Sequence, residues 1–230
     1  MFHLRWALHG AQIGMMHTNM RFIGITGGVG AGKSAILSYL AEKPKTKVML
    51  ADEIAHDLME PGTACYLQIV SHFAGEDIFV EADAPVNETE EKRPFDRIKL
   101  AQIIFGNPKK REEMNAIVHP AVKEYVRQQY ALESEKSELE LLILEAALLI
   151  EEEYDEICDE LWYIYTNEEN RRHRLKESRG YSDEKIDNIF KSQLSETEFR
   201  ESTQVTIDNN GDLELTYQQI EKALRRNADE

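Results

Sequence analysis

Gly27-Gly28-Val29-Gly30-Ala31-Gly32-Lys33-Ser34 is the stretch on which the fold turns. It fits G-x-x-x-x-G-K-[ST]. Glycines let main-chain N–H groups approach an anion closely. Together with the start of a following helix, those groups form a nest for phosphate. The nest predicts nucleotide-binding residues Gly28, Val29, Gly30, Ala31, Gly32, Lys33, Ser34 and Ala35. Lys33 is expected on the β and γ phosphates of ATP, and Ser34 on Mg²⁺, which keeps much of its water and shares nucleotide oxygens. The alternative, a chance glycine-rich turn, is disfavoured by context. Phe22-Ile23-Gly24-Ile25-Thr26 reads as a buried parallel strand before the loop. Ile36, Leu37 and Leu40 fall at helical spacing after it, with Pro44 as a stop.

Working outward, Val48-Met49-Leu50-Ala51 reads as a second strand ending at Asp52. Further apolar runs at 141–144, 161–165 and 205–207 alternate with helical stretches, which predicts an α/β fold: a parallel sheet covered on both faces. Too much chain lies between Asp52 and residue 141 for one crossover. Residues 60–130 therefore read as a helical insertion. Within it, Asn107-Pro108 looks like an N-cap with proline at the first helical position. Residues 121–130 are amphipathic, 81–93 look like an acidic loop, and His119-Pro120 falls between two helices. The nucleotide-binding core is expected over 20–59 and 131–230, with a closing helix at 213–224. Residues 1–19 look like an extension and receive no role.

The chain has 230 residues, with 27 Lys and Arg against 43 Asp and Glu, a formal net charge of −16. Such acidity argues against a nucleic-acid partner. No apolar run approaches the ~20 residues needed to span a bilayer, so a cytoplasmic protein is expected. The two cysteines, far apart, read as idle thiols in a reducing compartment. An anionic ligand then needs local positive charge. It is present as Arg171, Arg172, Arg174, Lys176 and Arg179, ahead of Gly180 and a helix start at Ser182-Asp183-Glu184. Two short helices joined by a glycine turn make a lid over 171–195. Arginines of a lid can meet the charge of a transferring phosphoryl group; the plainer reading is a solvated basic helix face.

A carboxylate at the end of a strand in an open parallel sheet faces the ligand crevice. Asp52 there could take a proton from an attacking hydroxyl and help hold Mg²⁺, or cap the helix over 53–59; the two are compatible. Glu145 could order Mg²⁺ through water or serve as a helix N-terminal acid. His119 reads as a cap or packing residue or as a substrate contact. No N-K-x-D segment is present, and Asp208-Asn209-Asn210-Gly211 falls after the last strand, so a guanine-nucleotide switch is disfavoured.

These residues together resemble the dephospho-CoA kinase family, a group of P-loop kinases with a three-layer core, over about residues 20–224. The glycine loop with its double glycine, Ala51-Asp52-Glu53-Ile54-Ala55 followed by Glu60-Pro61-Gly62, Asn115-Ala116-Ile117-Val118-His119-Pro120 and Ile207-Asp208-Asn209-Asn210-Gly211 carry the likeness. The resemblance implies ATP-dependent phosphorylation of the ribose 3′-hydroxyl of dephospho-CoA. It implies Asp52 as base and Mg²⁺-side carboxylate, Lys33 as phosphate clamp and Arg174 as the group meeting transferred charge. It places Asn209 near the adenine, and Arg97, His119 and Arg179 on substrate. Three departures stand out. Leu50 occupies a position where the family often has Asp, Ala147-Leu148-Leu149 replaces Pro-Leu-Leu, and the Arg174 to Arg179 spacing is one residue longer than the pattern. The competing expectations are a kinase of nucleoside monophosphates or another small alcohol, and a nucleotide-dependent binding module without transfer chemistry. A monomer or weak homo-oligomer is expected.

Overall fold

The computed structural model describes residues 20–80 and 93–226. The N-terminal extension and all but the last residue of the acidic loop anticipated over 81–93 lie outside the described residues. Strands β1 (Arg21–Thr26), β2 (Thr46–Leu50), β3 (Leu141–Glu145), β4 (Glu160–Tyr165) and β5 (Val205–Asp208) form one sheet in the order β2-β3-β1-β4-β5. Every pairing in it is parallel. The α/β fold expected from strand–helix alternation is therefore present.

Side chains alternate across the pleat, so each strand feeds two cores. Phe22, Leu142, Leu144 and Leu161 belong to one apolar cluster. Their neighbours Ile23, Leu141, Ile143 and Trp162 belong to the other. Helices α1 (Lys33–Ala41) and α9 (Leu213–Arg225) cover the second cluster with Ile36, Leu40, Ile220 and Ala223. Helices α2 (Ala51–Leu58), α3 (Ala64–His72), α4 (Arg97–Gly106) and α5 (Pro108–Lys136) cover the first. This is a three-layer arrangement. At the centre of the sheet Gly24 pairs with Leu144 and Leu161, and a Cβ there would lie 2.6 Å from Leu161 Cδ2. Cys65 and Cys158 are both buried in the first cluster. Burial pushes both thiols up, Cys158 to about 12.

Two local expectations are corrected. Asp52 neither ends a strand nor caps a helix. Pairing of β2 with β3 stops at Leu50 opposite Glu145, α2 begins at Ala51, and Asp52 sits inside its first turn with Leu50 at the cap position. His119-Pro120 is not a gap between helices. Helix α5 runs through it, with N-cap Asn107 accepting from the N–H groups of Lys109 and Lys110 as anticipated. Proline inside a helix costs ~3 kcal/mol. Here Met114, Val118, Val122 and Val126 form one buried stripe that passes across Pro120 and packs in the core shared with α2, α3 and α4. Burial of that stripe outweighs the lost backbone bond.

Helices α6 (Glu168–Arg179) and α7 (Asp183–Lys191) form the anticipated helix pair. Gly180 closes α6 at φ 62° and the Ser182 hydroxyl accepts from Lys185 N–H. A short α8 (Glu196–Glu201) leads back to β5.

Candidate active site

Strand β1 lies between β3 and β4, so the chain leaves it where the strand order reverses, the crevice in which open parallel sheets bind ligands. The glycine loop occupies that point. Gly27 has φ 151°, and a Cβ on it would come 2.6 Å from Ile164 O; Gly32, at the N-cap of α1, has φ 85° and lies so close to Asn209 that a Cβ would be 2.5 Å from its Nδ2. These two positions need glycine both for their backbone conformation and for space.

Lys33 opens α1. Its Nζ donates to Gly27 O at 2.7 Å and pairs with Glu145 Oε1 at 3.4 Å. Burial holds the Lys33 ammonium below its ordinary range and pushes the Glu145 carboxyl above its own. The ion pair offsets that cost only in part. Asp52 is close enough to add its charge to both. Ser34 is exposed on the first turn of α1. Among the described residues no three His, Cys, Asp or Glu side chains converge as a metal cage. The donors present, the Ser34 hydroxyl and the Asp52 and Glu145 carboxylates, are all oxygens. They fit Mg²⁺, a hard cation that takes one or two protein oxygens and completes its shell with phosphate and water.

Three donors converge on Ala31 O at the other end of the loop: Thr166 Oγ1 at 3.0 Å, Arg174 NH1 at 3.2 Å and Asn209 Nδ2 at 2.7 Å. Asn209 Oδ1 in turn accepts from Thr216 Oγ1 at 3.0 Å, and Arg174 NH2 donates to Asn209 O at 2.8 Å. The Asn209 side chain is thus committed to the loop, and it touches a nucleotide's site through Ala31. Arg171 meets the loop's first half. Its Nε donates to Val29 O at 2.9 Å, and its guanidinium lies where a Cβ on Gly28 would stand. Arg171 also bonds Gln193, whose Oε1 accepts from Val29 N–H at 3.3 Å. Nothing in the sequence separated Arg171 from its basic neighbours, and Gln193 carried no signal at all. Arg179 is elsewhere: it is exposed and lies 5.9 Å from the Tyr181 ring, beside the turn that joins α6 and α7.

Two cavities flank α2. One, of about 170 Å³, is lined by Asp52, Val118, His119, Ala147, Glu152 and Tyr154. His119 Nδ1 lies 2.6 Å from Glu152 Oε1, and burial drives the Tyr154 phenol up to about 12. Asp52 has no hydrogen-bond or ion-pair partner among the described residues, so its carboxylate is available to a ligand. The second cavity, of about 410 Å³, is lined largely by apolar side chains together with His56, Glu60 and Arg97. Arg97 and Glu60 stand 3.9 Å apart there. The structure therefore joins Asp52 and His119 in one cavity and puts Arg97 in the next.

A phosphate nest at the switch point of a parallel sheet, with a half-buried lysine beneath it and, among the described residues, an unpaired carboxylate lining a neighbouring cavity, defines a P-loop phosphotransferase of the kinase class. The family described as dephospho-CoA kinase matches residues 21–214, and the chain belongs to that family. The chain is 34% identical over 208 residues to a dephospho-CoA kinase of Shouchella clausii, covering 90% of this chain and 99% of the relative. It is 35% identical over 209 residues to one of Symbiobacterium thermophilum, covering 90% and 81%. Among solved structures, a Thermus thermophilus protein superposes with a TM-score of 0.67 at 24% identity, covering 90% of this chain and 97% of that one. A dephospho-CoA kinase from Campylobacter jejuni superposes at 0.57 and 19%, with the same coverage. These two likenesses support the fold.

Proposed function

We propose that this chain transfers the γ-phosphoryl group of ATP to the ribose 3′-hydroxyl of dephospho-CoA, giving CoA and ADP, the last step of CoA synthesis. The observation that carries the reading is the placement of Asp52. It lines a cavity shared with His119, and its charge reaches both Lys33 and Glu145 under the phosphate nest.

Each role follows from chemistry at a named atom. The amides of 28–35 hold the phosphate tail, and Lys33 Nζ exchanges Gly27 O for phosphate oxygens. Asp52 accepts the 3′-hydroxyl proton as that oxygen bonds the γ-phosphorus and the bond to the β–γ bridging oxygen breaks. Arg174 adds positive charge on the lid side of the loop. His119 and Arg97 hold the acceptor, with Glu152 orienting the imidazole through Nδ1. Ser34 and Asp52 would hold Mg²⁺, which when bound would supply positive charge to the nucleotide oxygens. The roles divide the chain into a nucleotide core over 20–59 and 131–230, an acceptor unit over 60–130 and a lid over 171–195. Arg179 reaches substrate only if the lid turns it away from Tyr181.

We further propose a cytoplasmic monomer or weak homo-oligomer that does not bind nucleic acid. The strong net negative charge supports the last point, and no helix among the described residues is long and apolar enough to cross a membrane. Light scattering on the purified chain measures its oligomeric state. The central test is turnover with Mg·ATP and a panel of acceptors. Phosphorylation of dephospho-CoA is expected; turnover of a nucleoside monophosphate with none of dephospho-CoA rejects the reading.

A further inference from the structure

The lid's basic side chains differ in what neutralises them. Arg172 faces Asp183 at 3.0 Å and Asp187 at 2.5 Å, and Lys176 faces Asp183 at 2.8 Å. These are ordinary surface pairs. Arg171 is half-buried and makes no ion pair with a carboxylate among the described residues; Glu168, on the first turn of α6, acts on it only at longer range. Its partners are dipoles and a ring: Val29 O, the Gln193 side-chain oxygen, and Phe190 with its centroid 4.2 Å away. A guanidinium drawn from water onto neutral partners keeps its charge uncompensated. Beside a loop built for phosphate, such a charge is held in readiness for an anion. Arg174 also makes no ion pair with a carboxylate among the described residues, but it is spent on Ala31 and Asn209 at the loop's other end.

Of these contacts, one neutral atom ties Arg171 to a main-chain N–H of the loop. Gln193 Oε1 accepts from the Val29 amide and from the Arg171 guanidinium at once. Gln193 lies in the turn between α7 and α8, far along the chain from both partners. We propose that Gln193 is a positioning residue for phosphoryl transfer: its carbonyl clips the lid to the phosphate loop at Val29 and aims Arg171 at the phosphoryl group in transit. This rests on the reading of the loop as an ATP site that performs transfer. The amide is essential to the device. A carboxylate of the same shape would grip Arg171 more firmly but cancel its charge and repel phosphate.

That contrast supplies the test. Gln193→Glu, Gln193→Ala, Arg171→Ala and the double variant Gln193→Ala/Arg171→Ala are assayed with Mg·ATP and dephospho-CoA, and their melting temperatures are measured. Gln193→Glu is expected to melt no lower than wild type while kcat falls about 10²-fold, the scale of a misaimed catalytic group. KM for dephospho-CoA is expected to stay within about threefold of wild type. Gln193→Ala is expected to lose kcat similarly, and the double variant to lose little more than Arg171→Ala alone, because both changes remove one unit. Full kcat in Gln193→Glu, or losses that multiply in the double variant, would overturn the proposal. Gln193→Asn retains the amide on a shorter arm; should another variant fail to fold, kcat at the wild-type level in Gln193→Asn rejects the clip and a fall of about 10²-fold supports it. Wild-type turnover of dephospho-CoA tests the parent reading separately. If another acceptor is the substrate, the ratios of variant to wild type are read on that acceptor.

Discussion

Asp52 stands among groups that are already engaged. Lys33 has Gly27 and Glu145, His119 has Glu152, and Asp52 has an open cavity. Its replacement therefore removes a function and little packing. Asp52→Asn is expected to lower kcat by about 10² or more as a lost general base, while the dissociation constant for ATP shifts by less than about tenfold. Single-turnover kinetics and equilibrium titration separate the two; undiminished kcat would dismiss Asp52 as the base. For His119→Ala, the expected change is about tenfold higher KM for dephospho-CoA, equal to one lost hydrogen bond of ~1.4 kcal/mol, with KM for ATP unaltered. A rise in KM for ATP alone would place His119 on the wrong substrate.

Among the elements, what could be seen in advance followed from how local the cause was. Asn107 and Ser182 cap their helices through bonds that span two or three residues, and Gly180 ends α6 by its own backbone angle, so local sequence sufficed. His119-Pro120 misled because proline reports a missing N–H and not the stripe of buried methyls that carries α5 past it. Pro120 is itself exposed. Pro120→Ala restores an N–H to the helix interior without emptying core space. It is expected to stabilise the fold by about 1–3 kcal/mol, a rise in Tm of about 2–4 °C per kcal/mol by calorimetry. A fall in Tm would show that the proline ring contributes more to α5 than its missing N–H costs. The same logic explains the site. The phosphate loop is contiguous and was legible; the Arg171, Gln193 and Val29 group is assembled from three distant segments and was not.

At the scale of the molecule, the core is two apolar layers about one sheet, and polar clamps tie its edges. Glu221 on α9 accepts from Lys43, just past α1, and from Tyr39 Oη at 2.6 Å. The Lys43 hydrogen bond, then that of Tyr39, holds the Glu221 carboxyl below its ordinary value of 4.5. A carboxyl depressed by folding binds fewer protons in the native state than in the unfolded chain, so stability rises with pH across that range. The clamp's contribution is fully present above the ordinary value and is lost as pH falls through the depressed one. Because both side chains are partly exposed, about 0.5–1 kcal/mol is at stake. Glu221→Gln should melt lower than wild type near neutrality and match it in strong acid; an equal deficit at both ends would remove charge from the account. A parallel sheet with helices on both faces was foreseeable from the alternation of apolar runs, whereas the strand order β2-β3-β1-β4-β5 and this clamp join residues whose neighbourhood only the closed fold creates.

The two cysteine thiols have a bearing on the product. CoA ends in a thiol, and disulfides of CoA exchange with any protein sulfur that ionises and can be reached. Cys65 and Cys158 are shut inside the apolar layer, and burial pushes both thiols up, Cys158 to about 12. A protein so built handles a reactive sulfur compound while offering it no nucleophile to capture. Its mass should stay unchanged after prolonged incubation with CoA disulfide and rise by one adduct per cysteine once the chain is unfolded.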